Sequence, residues 1–174
     1  MTDADVRIRR AQPEDVDFII DVLTSEEVEP FLSVIRTRDR EGLLAEIERS
    51  CAEPQHYGRF LIEIREGDGW RRAGIMDFEV ANRRSRIANL GGLAVHPDFR
   101  GRRLADTAAR LLQRHLLDEL GYHRLQLEIY GFNTRAIEHA ERAGFVREGV
   151  RRKAYWRHGD WVDGVLFGLV EDDR

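Results

Sequence analysis

Apolar residues in this chain change their spacing several times, and each change marks an element. VRIRR (6–10) alternates like a short strand, and Gln12-Pro13-Glu14-Asp15 supplies the proline and acids of a helix start. Val16, Ile19, Ile20 and Leu23 then recur at helical intervals on one face. A second helix is predicted from Arg38 to Cys51, with Leu43, Leu44 and Ile47 inward. Beyond Pro54 the period shortens to two. Phe60, Ile62 and Ile64 share one side of a strand, Gly67-Asp68-Gly69 turns the chain, and GIMDFEV (74–80) returns. NRRSR (82–86) reads as a solvated hairpin tip and IANLGGLAV (87–95) as the next strand, where Gly91-Gly92 suits a bulge or a splayed segment.

Leu104, Ala108, Leu111, Leu112, His115 and Leu116 make one stripe of a helix that Gly121 ends. LQLEIY (125–130) is a strand, TRAIEHAERA (134–143) a helix stopped at Gly144, and two long strands meet at Arg157-His158-Gly159-Asp160. The predicted order is β-α-α-β-β-β-α-β-α-β-β. It implies one α/β domain over residues 1–174, with a single mixed sheet flanked by helices.

Composition changes this picture little. With 42% hydrophobic and 34% charged residues, the chain is an ordinary globular one, and no apolar run approaches a membrane span. The start, MTDADVRIRR, lacks a signal-type apolar segment, and the single cysteine, Cys51, cannot form an internal disulfide. A cytoplasmic protein without a membrane partner is expected. A net charge of -4 argues against nucleic acid as a partner. Only Lys153 is lysine, so arginine is generally abundant and no single arginine is a strong signal. His56, His96, His115, His123 and His158 show no metal-ligand spacing, and no metal is expected.

The chemistry concentrates in HPDFRGRRLADTAARLL (96–112), where a strand enters a helix through a glycine-containing, arginine-rich loop. Such a loop offers unpaired N–H groups and the positive end of a helix dipole to an anion. The alternative is a solvated helix start. No Gly-Lys-Ser/Thr closes a phosphate loop, and a lone Gly101 cannot make a dinucleotide fingerprint.

LAVHPDFRGRRLADTAARLL, followed by Asn133 and its helix, resembles the GNAT N-acetyltransferases. Gly144-Phe145-Val146-Arg147-Glu148-Gly149, linked to Gly159-Asp160-Trp161-Val162-Asp163, is similar to the ribosomal-protein and polyamine branch. The resemblance implies a mostly antiparallel sheet of the acyl-CoA N-acyltransferase fold and acetyl-CoA as co-substrate. It implies that Leu93, Ala94 and Val95 flank the pantetheine arm, with an amide near Val95 facing the thioester oxygen. Arg100, Gly101, Arg102, Arg103, Leu104, Ala105 and Asp106 would hold the pyrophosphate on main-chain amides, and Asn133 would contact the arm. The partners implied are acetyl-CoA, an amine acceptor and, as in many family members, a second copy in a homodimer.

Two positions depart from the pattern. Arg103 stands where glycine is usual, which is harmless if that residue is already helical with negative φ. Ala140 stands where many members carry a tyrosine that acts as acid, leaving adjacent His139 or Tyr130 as substitutes. For the base, Asp77 and Glu79 share a strand face and Glu128 is a third carboxylate. Glu79 is the expected catalytic residue, since that strand end borders the family's substrate cleft. Asp163 adds to the acidity near the expected cleft. The reading of another class is a non-catalytic acyl-CoA sensor, which the altered residues Arg103 and Ala140 would suit.

Overall fold

The computed structural model describes residues 5–32 and 39–173. Seven strands form one sheet: β1 (Val6–Arg10), β2 (Tyr57–Glu66), β3 (Gly69–Asn82), β4 (Ile87–Val95), β5 (Arg124–Tyr130), β6 (Val146–Arg157) and β7 (Asp160–Val170). Their order is β1-β2-β3-β4-β5-β7-β6. Every neighbouring pair is antiparallel except β4 and β5.

Four helices cover the two faces: α1 (Val16–Thr24), α2 (Arg40–Ala52), α3 (Leu104–Arg114) and α4 (Thr134–Arg142). Strand alternation divides the core between them. Leu61, Ile75 and Ala94 pack with Val16, Ile19, Leu43 and Ile47 on the α1–α2 face. Phe60, Ile62, Met76 and Phe78 pack with Leu104, Ala108 and Leu112 on the α3–α4 face. With eight successive residues buried, β2 sits between both layers, so it lacks the polar alternation of a half-exposed strand.

Local chemistry explains the element ends. The buried Asp15 carboxylate accepts from the Gln12 amide at 2.8 Å and from Arg9, closing the turn into α1. Burial pushes this carboxyl up, but hydrogen bonds from Arg9, Gln12 and Arg72 outweigh it and hold it below the usual range. Asp39 caps α2 by accepting from the Gly42 amide at 2.8 Å. The predicted start at Arg38 lies outside the described residues. Past Arg114, α3 continues into a wider turn over His115–Glu119 before Gly121, at φ +69°, breaks it. His158 and Gly159, both with positive φ, form the two-residue β6–β7 turn.

The motif Gly144-Phe145-x-x-Glu148-Gly149 acts through structure. Gly144, at φ +90°, ends α4, Phe145 is buried, and Glu148 accepts from Arg124 Nη1 at 2.7 Å where β6 slips register. Asp163 accepts from the Lys153 amide at 2.8 Å across a second slip between Arg151 and Tyr155. Trp156 and Trp161 stand exposed as an edge-on cross-strand pair 5.4 Å apart.

Candidate active site

The β4–β5 ladder is short. Parallel pairing covers Ile87 to Asn89 against Arg124 to Gln126 and then stops, while β4 keeps pairing with β3 as far as Val95. From Leu90 onward, β4 therefore presents an edge to a widening gap. The register on the β3 side slips between Ile75 and Asp77, where Gly92 takes φ +59°. This is the bulge that Gly91-Gly92 foretold. It requires glycine: a Cβ on Gly92 would lie 2.1 Å from Asp77 Oδ2.

An inner cavity of about 150 Å³ fills the gap, walled by Leu90 to Leu93 on β4, Leu127 to Ile129 on β5, Ala136, His139 and Ala140 on α4, and Ala143 just past its end. It adjoins an outer groove of about 380 Å³ along Leu93, Ala94, Val95, Arg100, Ala105, Asn133 and Arg135. Six residues line both: Phe31, Leu32, Leu93, Asn133, Ala136 and His139. The result is a continuous path from the α3 loop to the middle of the sheet.

At the outer end, no side chain caps α3, so the N–H groups of Leu104, Ala105 and Asp106 keep their anion-binding potential. Gly101, at φ +76°, and Arg103, at φ +55°, curl the preceding chain. Arg103 therefore does not meet the condition, a helical residue with negative φ, under which its place in the pattern would be harmless. The residue precedes the helix in a left-handed conformation that costs a non-glycine about 1–2 kcal/mol. Arg100 is committed to Glu27, donating to its carbonyl at 3.2 Å and pairing with its carboxylate, and Arg102 lies 5.7 Å over the Phe99 ring. Asn133 Oδ1 accepts from the Ala136 amide at 3.2 Å, so it caps α4 while facing the groove. Asp106 adds a side-chain role to its amide, accepting from His139 Nδ1 at 2.8 Å.

The inner end holds two carboxylates, Asp77 and Glu128. Asp77 is buried beside the equally buried Arg59, whose Nη1 lies 3.3 Å away, while Arg59 Nη2 pairs with Glu46. Burial pulls the Arg59 guanidinium down, but Asp77, Tyr57 and Glu46 reverse this and it stays charged. Glu128 is different. Its Oε1 is buried without a hydrogen-bond partner among the described residues, while Arg151 lies 3.4 Å from its Oε2 and the Tyr155 hydroxyl is directed at the carboxylate. Gly164 makes the room, since a Cβ there would lie 2.0 Å from Glu128 Oε1. Tyr155 and Tyr130 stand nearby. Burial and Glu128 push the Tyr155 phenol up, and burial also raises Tyr130 despite opposing Arg157.

Glu79 lies elsewhere. It pairs with Arg49 at 2.8 Å, is 44% exposed, and faces Asn89, where β4 and β5 are still joined. Of the weighed carboxylates, the gap brings Asp77 and Glu128 together and leaves Glu79 and Asp163 outside its lining. Gly164 and Arg59 had no signal in spacing. Ala140 contributes an apolar wall where the expected acid is missing.

Comparison with known proteins fits this geometry. A family model described as an acetyltransferase (GNAT) domain matches residues 5–146. The SPbeta prophage-derived uncharacterized N-acetyltransferase YokL of Bacillus subtilis (strain 168) is 32% identical over 81 residues. That match spans about half of each protein, 47% of this chain and 46% of YokL. The crystal structure of spermidine N-acetyltransferase from Vibrio cholerae with CoA and spermine superposes with a TM-score of 0.87 at 17% identity, covering 98% of both chains. RimL, a ribosomal alpha-N-protein acetyltransferase in complex with coenzyme A, gives 0.82 at 16%, covering 98% of this chain and 96% of the other. At such identities the likeness establishes the shared fold.

Proposed function

The chain belongs to the GNAT acetyltransferase family, and on that footing we propose that it transfers the acetyl group of acetyl-CoA directly to a primary amine held in the same complex. The carrying observation is the buried Glu128 Oε1, an acceptor without a hydrogen-bond partner among the described residues, at the inner end of the β4–β5 gap. An amine is a donor that satisfies it, and a carboxylate can take the proton the amine must lose. Glu128 thus assumes the base role first assigned to Glu79.

Acetyl-CoA runs along the outer groove with its pyrophosphate on the amides of residues 101–106, its arm beside Leu93 to Val95 and Asn133, and its thioester at the bulge. The Val95 amide and its neighbours polarise the carbonyl as negative charge grows on oxygen. Asp77 and Glu128 favour a cationic acceptor, whether a polyamine, a protein N-terminus or another small amine. A homodimer is the assembly proposed alongside, readable by sedimentation.

The test is thiol release from acetyl-CoA over a panel of amines. Turnover with a cationic amine is expected, and Glu128→Gln lowers kcat/KM about 100-fold while calorimetric affinity for acetyl-CoA holds. Tight donor binding with no turnover on any amine would overturn the reading in favour of a sensor.

A further inference from the structure

Three α4 residues, Ala136, His139 and Ala140, and the two residues that flank the helix, Asn133 and Ala143, line the inner cavity at helical spacing. Within this stripe Ala140 offers only a methyl group to the space where a proton donor is needed. Among the described ionisable residues of the cleft, His139 alone lines both the inner cavity and the outer groove. The thioester of a donor threaded through both must pass that junction. The Nδ1 of His139 lies 2.8 Å from Asp106 Oδ1 on the first turn of α3, and its side chain is only 16% exposed. Its Nε2 has no protein partner among the described residues. A carboxylate on Nδ1 fixes the ring orientation, leaving Nε2 to work in the cleft.

We propose that His139, held by Asp106, is the acid that protonates the departing coenzyme A sulfur. The inference rests on the acetyl-transfer reading above. The amine nitrogen bonds to the carbonyl carbon, the C–S bond breaks, and its electron pair leaves on sulfur. Sulfur takes the proton from Nε2, while the proton lost by the amine passes to Glu128 and on to solvent, from which the ring is reprotonated. Asp106 is a positioning residue in this step. Other charged groups around His139 are Arg142, 3.6 Å from Asp106; Glu27, Arg100 and Arg135 along the outer groove; and Asp77 and Glu128 in the inner cavity.

The experiment uses the full chain with whichever amine turns over. His139→Ala and the shape-keeping His139→Gln should lower kcat about 10- to 100-fold, with acetyl-CoA affinity within twofold of wild type. His139→Gln should also remove the alkaline fall of the kcat–pH profile. Asp106→Asn, which loosens the hold on the ring without removing it, should lower kcat by less than His139→Gln does. A His139→Gln enzyme with kcat within twofold of wild type and the alkaline fall intact overturns the proposal. Parallel loss of acetyl-CoA affinity and kcat also overturns it, by making His139 a donor-binding residue. Wild-type protein that turns over no amine defeats the acetyl-transfer reading itself.

Discussion

The two halves of the cleft are built by opposite means. The donor half is main chain: the β4 edge, the Gly92 bulge and the uncapped start of α3 are nearly contiguous, spanning residues 90–106. The proposed acceptor half is side chain: Asp77, Glu128 and Tyr155 arrive from three strands, the last two in space left by Gly164. Backbone conformation should therefore govern donor binding, and buried charge should govern the acceptor.

The largest expected effect breaks the first half. Gly92→Ala forces a Cβ against Asp77 in a left-handed residue, costing about 1–3 kcal/mol of stability and weakening acetyl-CoA affinity together with turnover. Gly164→Ala should separate the halves. Its Cβ displaces Glu128 and Tyr155, lowering kcat/KM for the amine roughly tenfold or more, with calorimetric donor affinity unchanged. If Gly164→Ala weakened the donor as much as Gly92→Ala did, the division would fail.

Arg103 tests the donor half more finely. Arg103→Gly relieves the left-handed strain, offset in part by glycine's flexibility in the unfolded chain, so Tm should rise by about 2–4 °C or less. Arg103→Glu puts a negative charge beside the proposed pyrophosphate and should weaken acetyl-CoA at least tenfold by calorimetry. The smallest effect belongs to Glu79→Gln. It loses one exposed ion pair to Arg49, worth about 0–1 kcal/mol, and should leave kcat within twofold and the pH profile unchanged.

The same contrast governs what could be read in advance. The strand break at Gly91-Gly92 and the glycine-containing loop after Phe99 lie close together in the chain and were legible from spacing, whereas Asn133 entered only through the family resemblance. The φ of Arg103 was not legible, because the fold holds a left-handed turn there. The element order was also legible, because each strand and helix keeps its period. In the acceptor half, alternation put Asp77 and Glu79 on one face but could not say where the sheet opens. The gap begins just past Asn89, so Asp77, opposite Gly91, borders it, and Glu79, opposite Asn89, remains where the strands are joined. That distinction depends on where β4 leaves β5, which neither strand's own sequence encodes.

A crystal structure with bound coenzyme A is the most direct measurement. The account predicts pyrophosphate on the amides of residues 101–106, the arm between Leu93 to Val95 and Asn133, and the sulfur at the junction lined by His139, with Glu128 across the cavity. Coenzyme A bound elsewhere, with the β4–β5 gap closed by the protein's own side chains, would contradict it.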